Sequence, residues 1–174
     1  PSGENLCKTA FDVLKEKFNI SPVSIHLHKQ IPIGSGLGGG SSDAVSTLKA
    51  LNIIFKLNIE SYKLKEIASK LGADCSFFVD NQPRYVQGIG DVLLPINLDF
   101  KSYEIRLIHS DIHISTSEAY ENLIVVTKKN PSTLKELIAS PIEEWKDNIK
   151  NDFEEYIFSI HPTLLKIKKS FIIK

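Results

Sequence analysis

No methionine occurs among the 174 residues, cysteine is limited to Cys7 and Cys75, and neither sign of charge prevails, with 21 basic against 21 acidic side chains. Two cysteines cannot build a disulfide framework, and their spacing is not that of a metal-ligand pair. A reducing cytoplasm is the expected setting. Balanced charge removes the electrostatic footprint of a nucleic-acid binder or a basic membrane patch. No apolar run approaches the length of a bilayer span, and no signal-peptide pattern opens the sequence. Internal repeats, low-complexity tracts and heptad runs are absent as well. A chain that starts at Pro1 without a methionine and stops on an apolar, lysine-rich stretch is expected to be a piece of something longer. With 42% hydrophobic residues it can bury one good core or two small ones.

Against these absences stands one dense feature. Pro32 to Asp43 read Pro-Ile-Gly-Ser-Gly-Leu-Gly-Gly-Gly-Ser-Ser-Asp, which places five of the nine glycines in seven positions. Glycine permits positive φ and close backbone approach, so such a loop can turn its N–H groups toward one anion. A helix starting at its end would add unpaired first-turn N–H groups and the positive end of the macrodipole. The chemistry is that of phosphate binding.

Coarse periodicity frames that loop. Leu6, Ala10, Val13, Leu14 and Phe18 lie on one helical face over residues 5–18, and Asn19 to Pro22 form a breaker cluster. Val23, Ile25 and Leu27 alternate with Ser24, His26 and His28, which predicts a half-exposed strand. After the loop, Ala44, Val45, Leu48, Leu51 and Phe55 recur at helical intervals. Ser61 is the expected cap of a further helix carrying Leu64, Ile67, Ala68 and Leu71 and ending at Gly72. Arg84 to Gln87 and Val92 to Ile96 read as strands joined by Gly88 to Asp91. A composition shift at residues 97–99 marks the expected domain boundary. Beyond it come a strand at Tyr103 to Ile108, a capping box at Ser115 to Glu118 opening a helix to about Leu123, and a break at Asn130 to Ser132. Helical stretches are expected at 133–139, 142–158 and 162–174. Strands mixed with helices, without strict alternation, favour an α+β fold over a doubly wound sheet.

Three glycine-rich loops compete for the assignment. Walker A requires Gly-Lys-Ser/Thr at its end, whereas this loop closes Gly40-Ser41-Ser42 and the nearest lysine, Lys29, lies upstream. Gly34, Gly36 and Gly39 satisfy the dinucleotide fingerprint, but the acidic residue expected about 20 positions later falls within the apolar helical stretch at residues 48–57. The protein-kinase loop leads into a strand, and this one leads into a helix.

Ile31 to Asp43 instead resembles the ATP-binding motif of the GHMP kinases, small-molecule kinases that use neither Walker A nor the protein-kinase loop. Glu4-Asn5-Leu6, Leu71 to Phe78, Gly88 to Asp91, Ile114 to Tyr120 and Asn151 to Glu154 follow in the order seen in family members acting on a cytidine-diphosphate-linked methylerythritol. The resemblance implies a two-domain α+β fold, incomplete at both ends, with a partial ATP-binding domain at 1–98 and a partial C-terminal domain at 99–174. It further implies a kinase with ATP and Mg2+ as cofactors, moving the γ-phosphate onto the 2-hydroxyl of that small molecule in the non-mevalonate route to isoprenoids. A homoserine- or mevalonate-type kinase and a non-catalytic nucleotide-binding fragment are the alternatives. The family's opening lysine-bearing strand, its Asp-Gly-Tyr-His segment and its late glycine-serine loop have no counterpart here, so the chain alone is expected to be inactive.

By this resemblance Pro32, Ile33, Gly34, Ser35, Gly36, Leu37, Gly38, Gly39, Gly40, Ser41 and Ser42 wrap the triphosphate, Ser42 being a candidate contact for magnesium. Asn5 and Lys29 line the adenine pocket; on their own they read as a helix cap and a solvated charge. Asp74 matches the catalytic aspartate, and its competing use is as a helix N-cap. Tyr120 matches the aromatic that stacks on cytosine, with Thr116 nearby; the plainer readings are a core side chain and a helix start. His26 and His28 read as solvent-facing, Cys75 as a small core residue, Trp145 as core, and Lys166, Lys168, Lys169 and Lys174 as one solvated helix face.

Overall fold

The computed structural model describes residues 5–110, 112–123 and 133–171. Two compact units divide the chain, Pro1–Arg106 and Leu107–Lys174. Their described residues hold nine helices and one two-stranded sheet, so the α+β class holds.

In the first unit, α1 (Leu6–Phe18) opens under the side chain of Asn5, whose Oδ1 accepts the Cys7 N–H at 2.9 Å. Asn19 closes it in the left-handed conformation, φ 48°. Its apolar stripe, Ala10 and Leu14 above all, packs on Ala44, Val45, Leu48 and Leu51 of α2 (Gly39–Ile54). Leu14 and Leu48 are fully buried, and side chains of this kind contribute about 1.5–3 kcal/mol each. The chain returns from α2 through a loop fixed by Asn52, which donates to the Ile59 carbonyl and accepts its N–H, both at 3.0 Å.

Helices α3 (Ser61–Ala68) and α4 (Cys75–Asp80) complete this core with Leu64, Ile67, Cys75 and Val79. Lys49 of α2 ties the end of α4 by donating to the Phe78 carbonyl at 2.9 Å. Asp80 gathers Lys65, Arg84 and the Ser61 hydroxyl. Strands β1 (Arg84–Gln87) and β2 (Val92–Pro95) form an antiparallel hairpin in which Gln87 faces Val92. Its turn uses positive φ at Gly88 and Gly90.

The second unit contains α5 (Thr116–Glu121), α6 (Leu134–Ile138), α7 (Ile142–Asn148), α8 (Glu154–Ile160) and α9 (Pro162–Phe171). Thr133 and Glu136 form a complete capping box on α6. Trp145 is half-buried and donates its indole N–H to the Ser140 carbonyl at 3.0 Å.

Several expectations are corrected. Val23 to Leu27 forms no strand and pairs with no described strand, because alternation alone supplies no ladder partner. Tyr103 to Ile108 is likewise outside any strand, with Tyr103, Ile105 and Leu107 exposed. Glu60, not Ser61, occupies the cap position of α3, since the Ser61 hydroxyl is engaged by Asp80. That helix ends at Ala68, before Gly72. The Ser115 capping box does not form: Ser115 makes no capping bond, and Glu118 accepts the Tyr156 hydroxyl at 3.2 Å instead. One helix over 142–158 is two, broken where Ile149 turns extended and Asn151 accepts the Phe153 N–H at 3.1 Å. Lys168 does not point into solvent alone; it pairs with Glu154 at 2.5 Å. The expected break at Asn130 to Ser132, Glu4 and the last residues of the 162–174 helix lie outside the described residues.

Candidate active site

The glycine loop turns three times through the left-handed region, at Gly34 (φ 77°), Gly36 (φ 73°) and Gly38 (φ 66°). Gly38 is the N-cap residue of α2, and no side chain caps that helix. Its carbonyl accepts the Ser42 N–H at 2.9 Å. The N–H groups of Gly39, Gly40 and Ser41 thus belong to a first turn that has no intrahelical acceptor for them. A Cβ at Gly38 would meet the Phe78 ring at 2.9 Å, so the backbone there leaves no room for a side chain. At Gly36 nothing lies within 4 Å, and the backbone is open to an incoming group. Donors without caps, close-packed glycine backbone and the positive end of a 16-residue helix fit a polyphosphate.

Two hollows flank this loop. One, of about 510 Å3, is lined by His28, Lys29, Gly39, Ser42, Asp43 and Phe78 among others. Lys29 crosses it to Asp43, with Nζ and Oδ2 at 2.5 Å. The other, of about 200 Å3, is lined by Gly38, Asp74, Phe77, Val86, Gly90 and Leu93. Leu37 and Phe78 border both.

Asp74 stands at the N-cap position of α4 but makes no capping hydrogen bond, and its side chain is exposed. The capping use that competes for this residue is therefore not realised. The hairpin turn packs behind it, for a Cβ at Gly90 would lie 3.4 Å from that of Ala73. Cys75 follows at 0% exposure. Burial pushes its thiol up from the ordinary value, against a hydrogen bond from Ser41 that lowers it. A neutral, enclosed thiol is a core residue, not a nucleophile.

The remaining residues are distributed as follows. Pro32 and Ile33 are exposed on the loop, Ser35 and Ser41 half-buried, and Gly40 packs near Leu6 of α1. Asn5 caps α1 and lines a separate hollow of about 360 Å3 with Phe11, Val23, Ile25 and Leu27; Lys29 is not among the residues lining it. In the second unit, Tyr120 is 63% exposed and meets Phe153 edge-on at 5.0 Å, which excludes a core role and leaves ring surface open. Thr116, one helical turn earlier on α5, is exposed. His26 and His28 are exposed. Among the described residues no group of three or more His, Cys, Asp or Glu side chains could hold a metal ion, and no helix is long and apolar enough to cross a membrane.

Sequence reasoning gave no role to Phe78 or Asp43. Phe78 closes the Leu71 to Phe78 motif, but nothing local in that motif places its ring against Gly38. Asp43 closes the glycine motif, but its partnership with Lys29 spans 14 residues and leaves no local trace.

Residues 5–83 match the family described as GHMP kinases N terminal domain. A 4-diphosphocytidyl-2-C-methyl-D-erythritol kinase from Azobacteroides pseudotrichonymphae is 45% identical over 95% of this chain and 61% of its own length. One of the same name from Bacteroides thetaiotaomicron is 43% identical over 95% of this chain and 60% of its own. A crystal structure of 4-(cytidine 5'-diphospho)-2C-methyl-D-erythritol kinase superposes with a TM-score of 0.73 at 27% identity, over 96% of this chain and 61% of that one. The chain thus spans about 60% of the length of the curated relatives it matches.

Proposed function

We propose that this chain, whose residues 5–83 match the GHMP kinases N terminal domain, is part of a kinase transferring the γ-phosphate of ATP to the 2-hydroxyl of 4-diphosphocytidyl-2-C-methyl-D-erythritol. One observation carries the reading. Gly38, at the end of the phosphate-type loop, and Asp74, a carboxylate free of any capping duty, line the same hollow. Phosphoryl transfer needs little covalent chemistry from the protein; it needs the phosphates held and the attacking oxygen placed.

In this account residues Pro32 to Ser42 hold the polyphosphate through their backbone N–H groups, with the open backbone at Gly36 as the point of closest approach. Lys29 adds a positive charge at the head of α2. Asp74 accepts the proton of the acceptor hydroxyl or orients it for attack. Mg2+, bound with the nucleotide, would supply charge neutralisation during phosphoryl transfer, and Ser42 is the loop side chain proposed to hold it. Tyr120 offers an open ring face for cytosine, with Thr116 beside it on α5. Asn5 is proposed to contribute to the nucleotide pocket through the start of α1 that it caps. Residues 1–98 and 99–174 are proposed as partial ATP-binding and C-terminal domains. The proposed setting is the cytoplasm, where the free thiols Cys7 and Cys75 stay reduced.

Saturation-transfer NMR on this chain tests the substrate class, with CDP, mevalonate and homoserine offered separately. Transfer to the cytosine ring protons of CDP, and none to mevalonate or homoserine, is the expected result. Transfer to mevalonate or homoserine without transfer to CDP would move the chain to another branch of the family.

A further inference from the structure

We propose that Asp43 is a positioning residue that holds the Lys29 ammonium at the head of α2, in place for the phosphates of the nucleotide. This rests on the kinase reading given above. The Lys29 Nζ stands 2.5 Å from Asp43 Oδ2, and both side chains are about three-quarters covered, at 27% and 26% exposure. Such a pair is screened less than one on the open surface. A Cβ built at Gly39 would lie 3.3 Å from Nζ, so the ammonium rests against the first residue of α2.

A cation is out of place there by default. The start of a helix carries partial positive charge, which repels an ammonium and favours a carboxylate. Asp43, the fifth residue of α2, supplies that carboxylate and anchors a side chain that is otherwise a flexible four-carbon stem. Ser42, Gly39 and Lys29 line the same hollow as Asp43. An arriving polyphosphate meets the helix start and the ammonium together, and no long side chain has to be ordered on binding. Lys29 is thereby assigned to the phosphate end of the nucleotide.

The test is a titration of this chain with the non-hydrolysable ATP analogue AMP-PNP and, separately, with adenosine. Asp43→Asn should weaken AMP-PNP about three- to tenfold, the range set by immobilising one rotamer-rich side chain, and leave adenosine binding at the parent value. Lys29→Met should weaken AMP-PNP as well, and the double variant should bind no worse than Lys29→Met alone, since both act through one group. Asp43→Glu, which keeps the charge, should recover part of the loss and provides a second reading if the Asn variant does not fold. Unchanged or tighter AMP-PNP binding in Asp43→Asn overturns the proposal. So does an equal loss for adenosine, which a merely structural role would give, or additive losses in the double variant. Failure of the parent chain to bind AMP-PNP would overturn the kinase reading and this inference with it; parent binding that is indifferent to Asp43 overturns this inference alone.

Discussion

The ring of Phe78 lies directly against Gly38: a Cβ at that glycine would sit 2.9 Å from Cζ and 3.0 Å from Cε2. One aromatic side chain on α4 thus shapes the last left-handed residue before α2, and the same ring borders both hollows beside the loop. Gly38→Ala suffers twice, from a left-handed φ that costs an L-residue about 1–2 kcal/mol and from the clash. Gly36→Ala suffers only the first, having open space around it. Urea unfolding should show the larger loss for Gly38→Ala, and Phe78→Leu in that background should recover the difference. Equal losses at the two glycines would mean that the ring does not constrain the loop.

Asp74 occupies a cap position without using it. Asp74→Asn should therefore change the unfolding free energy by less than about 0.5 kcal/mol, as for an uninvolved surface site, where loss of a working cap costs about 1 kcal/mol. In the longer kinase proposed for this chain, the same change should leave ATP affinity intact while turnover collapses. Normal turnover would remove Asp74 from the proposed chemistry.

Asp80 links α3, α4 and the hairpin. The hydrogen bond from Lys65 is the main reason its carboxyl sits below the usual carboxylate range; burial works the other way, and Ser61 and Arg84 assist Lys65. A folded-state value below the unfolded one gives stability that is complete above the unfolded carboxylate value, about 3.9, and is lost as pH falls through the folded value. Asp80→Asn should be less stable than the parent at pH 7, and the gap should close on acidification. A gap that stays constant down to the acid limit would contradict this origin for the linkage.

Two serine/threonine sites with the same sequence signature behave differently. Thr133 and Glu136 make both bonds of a capping box, at 3.3 and 2.6 Å, whereas Ser115 makes none. Thr133→Ala should cost about 1 kcal/mol, and Ser115→Ala under about 0.5 kcal/mol. Thermal unfolding of the two variants checks the contrast, and equal costs would contradict it.

These sites also show where sequence stops being legible. The core helices were readable because Ala10 and Leu14, Ala44, Leu48 and Leu51, and Leu64, Ile67 and Leu71 recur at helical spacing, and the hairpin because Gly88 to Asp91 separates two short strand-like runs. Capping was not readable, because a serine hydroxyl takes whichever partner the fold offers: Asp80 captured Ser61, and Tyr156 drew Glu118 away from Ser115. The Val23 to Leu27 strand failed for want of a ladder partner, which no local pattern can supply. Within the site, the loop and Asp74 were legible as motifs, whereas the Phe78 ring under Gly38 and the Lys29–Asp43 pair are tertiary contacts that local spacing does not encode.

The account depends on backbone donors in the glycine loop meeting a nucleotide's phosphates. Amide chemical shifts of this chain, recorded while AMP-PNP and then NAD are titrated in, test that directly. The expected result is saturable shifts concentrated at Gly34 to Ser42 with AMP-PNP and none with NAD. Loop amides that stay unmoved by AMP-PNP, or that answer to NAD instead, would contradict it.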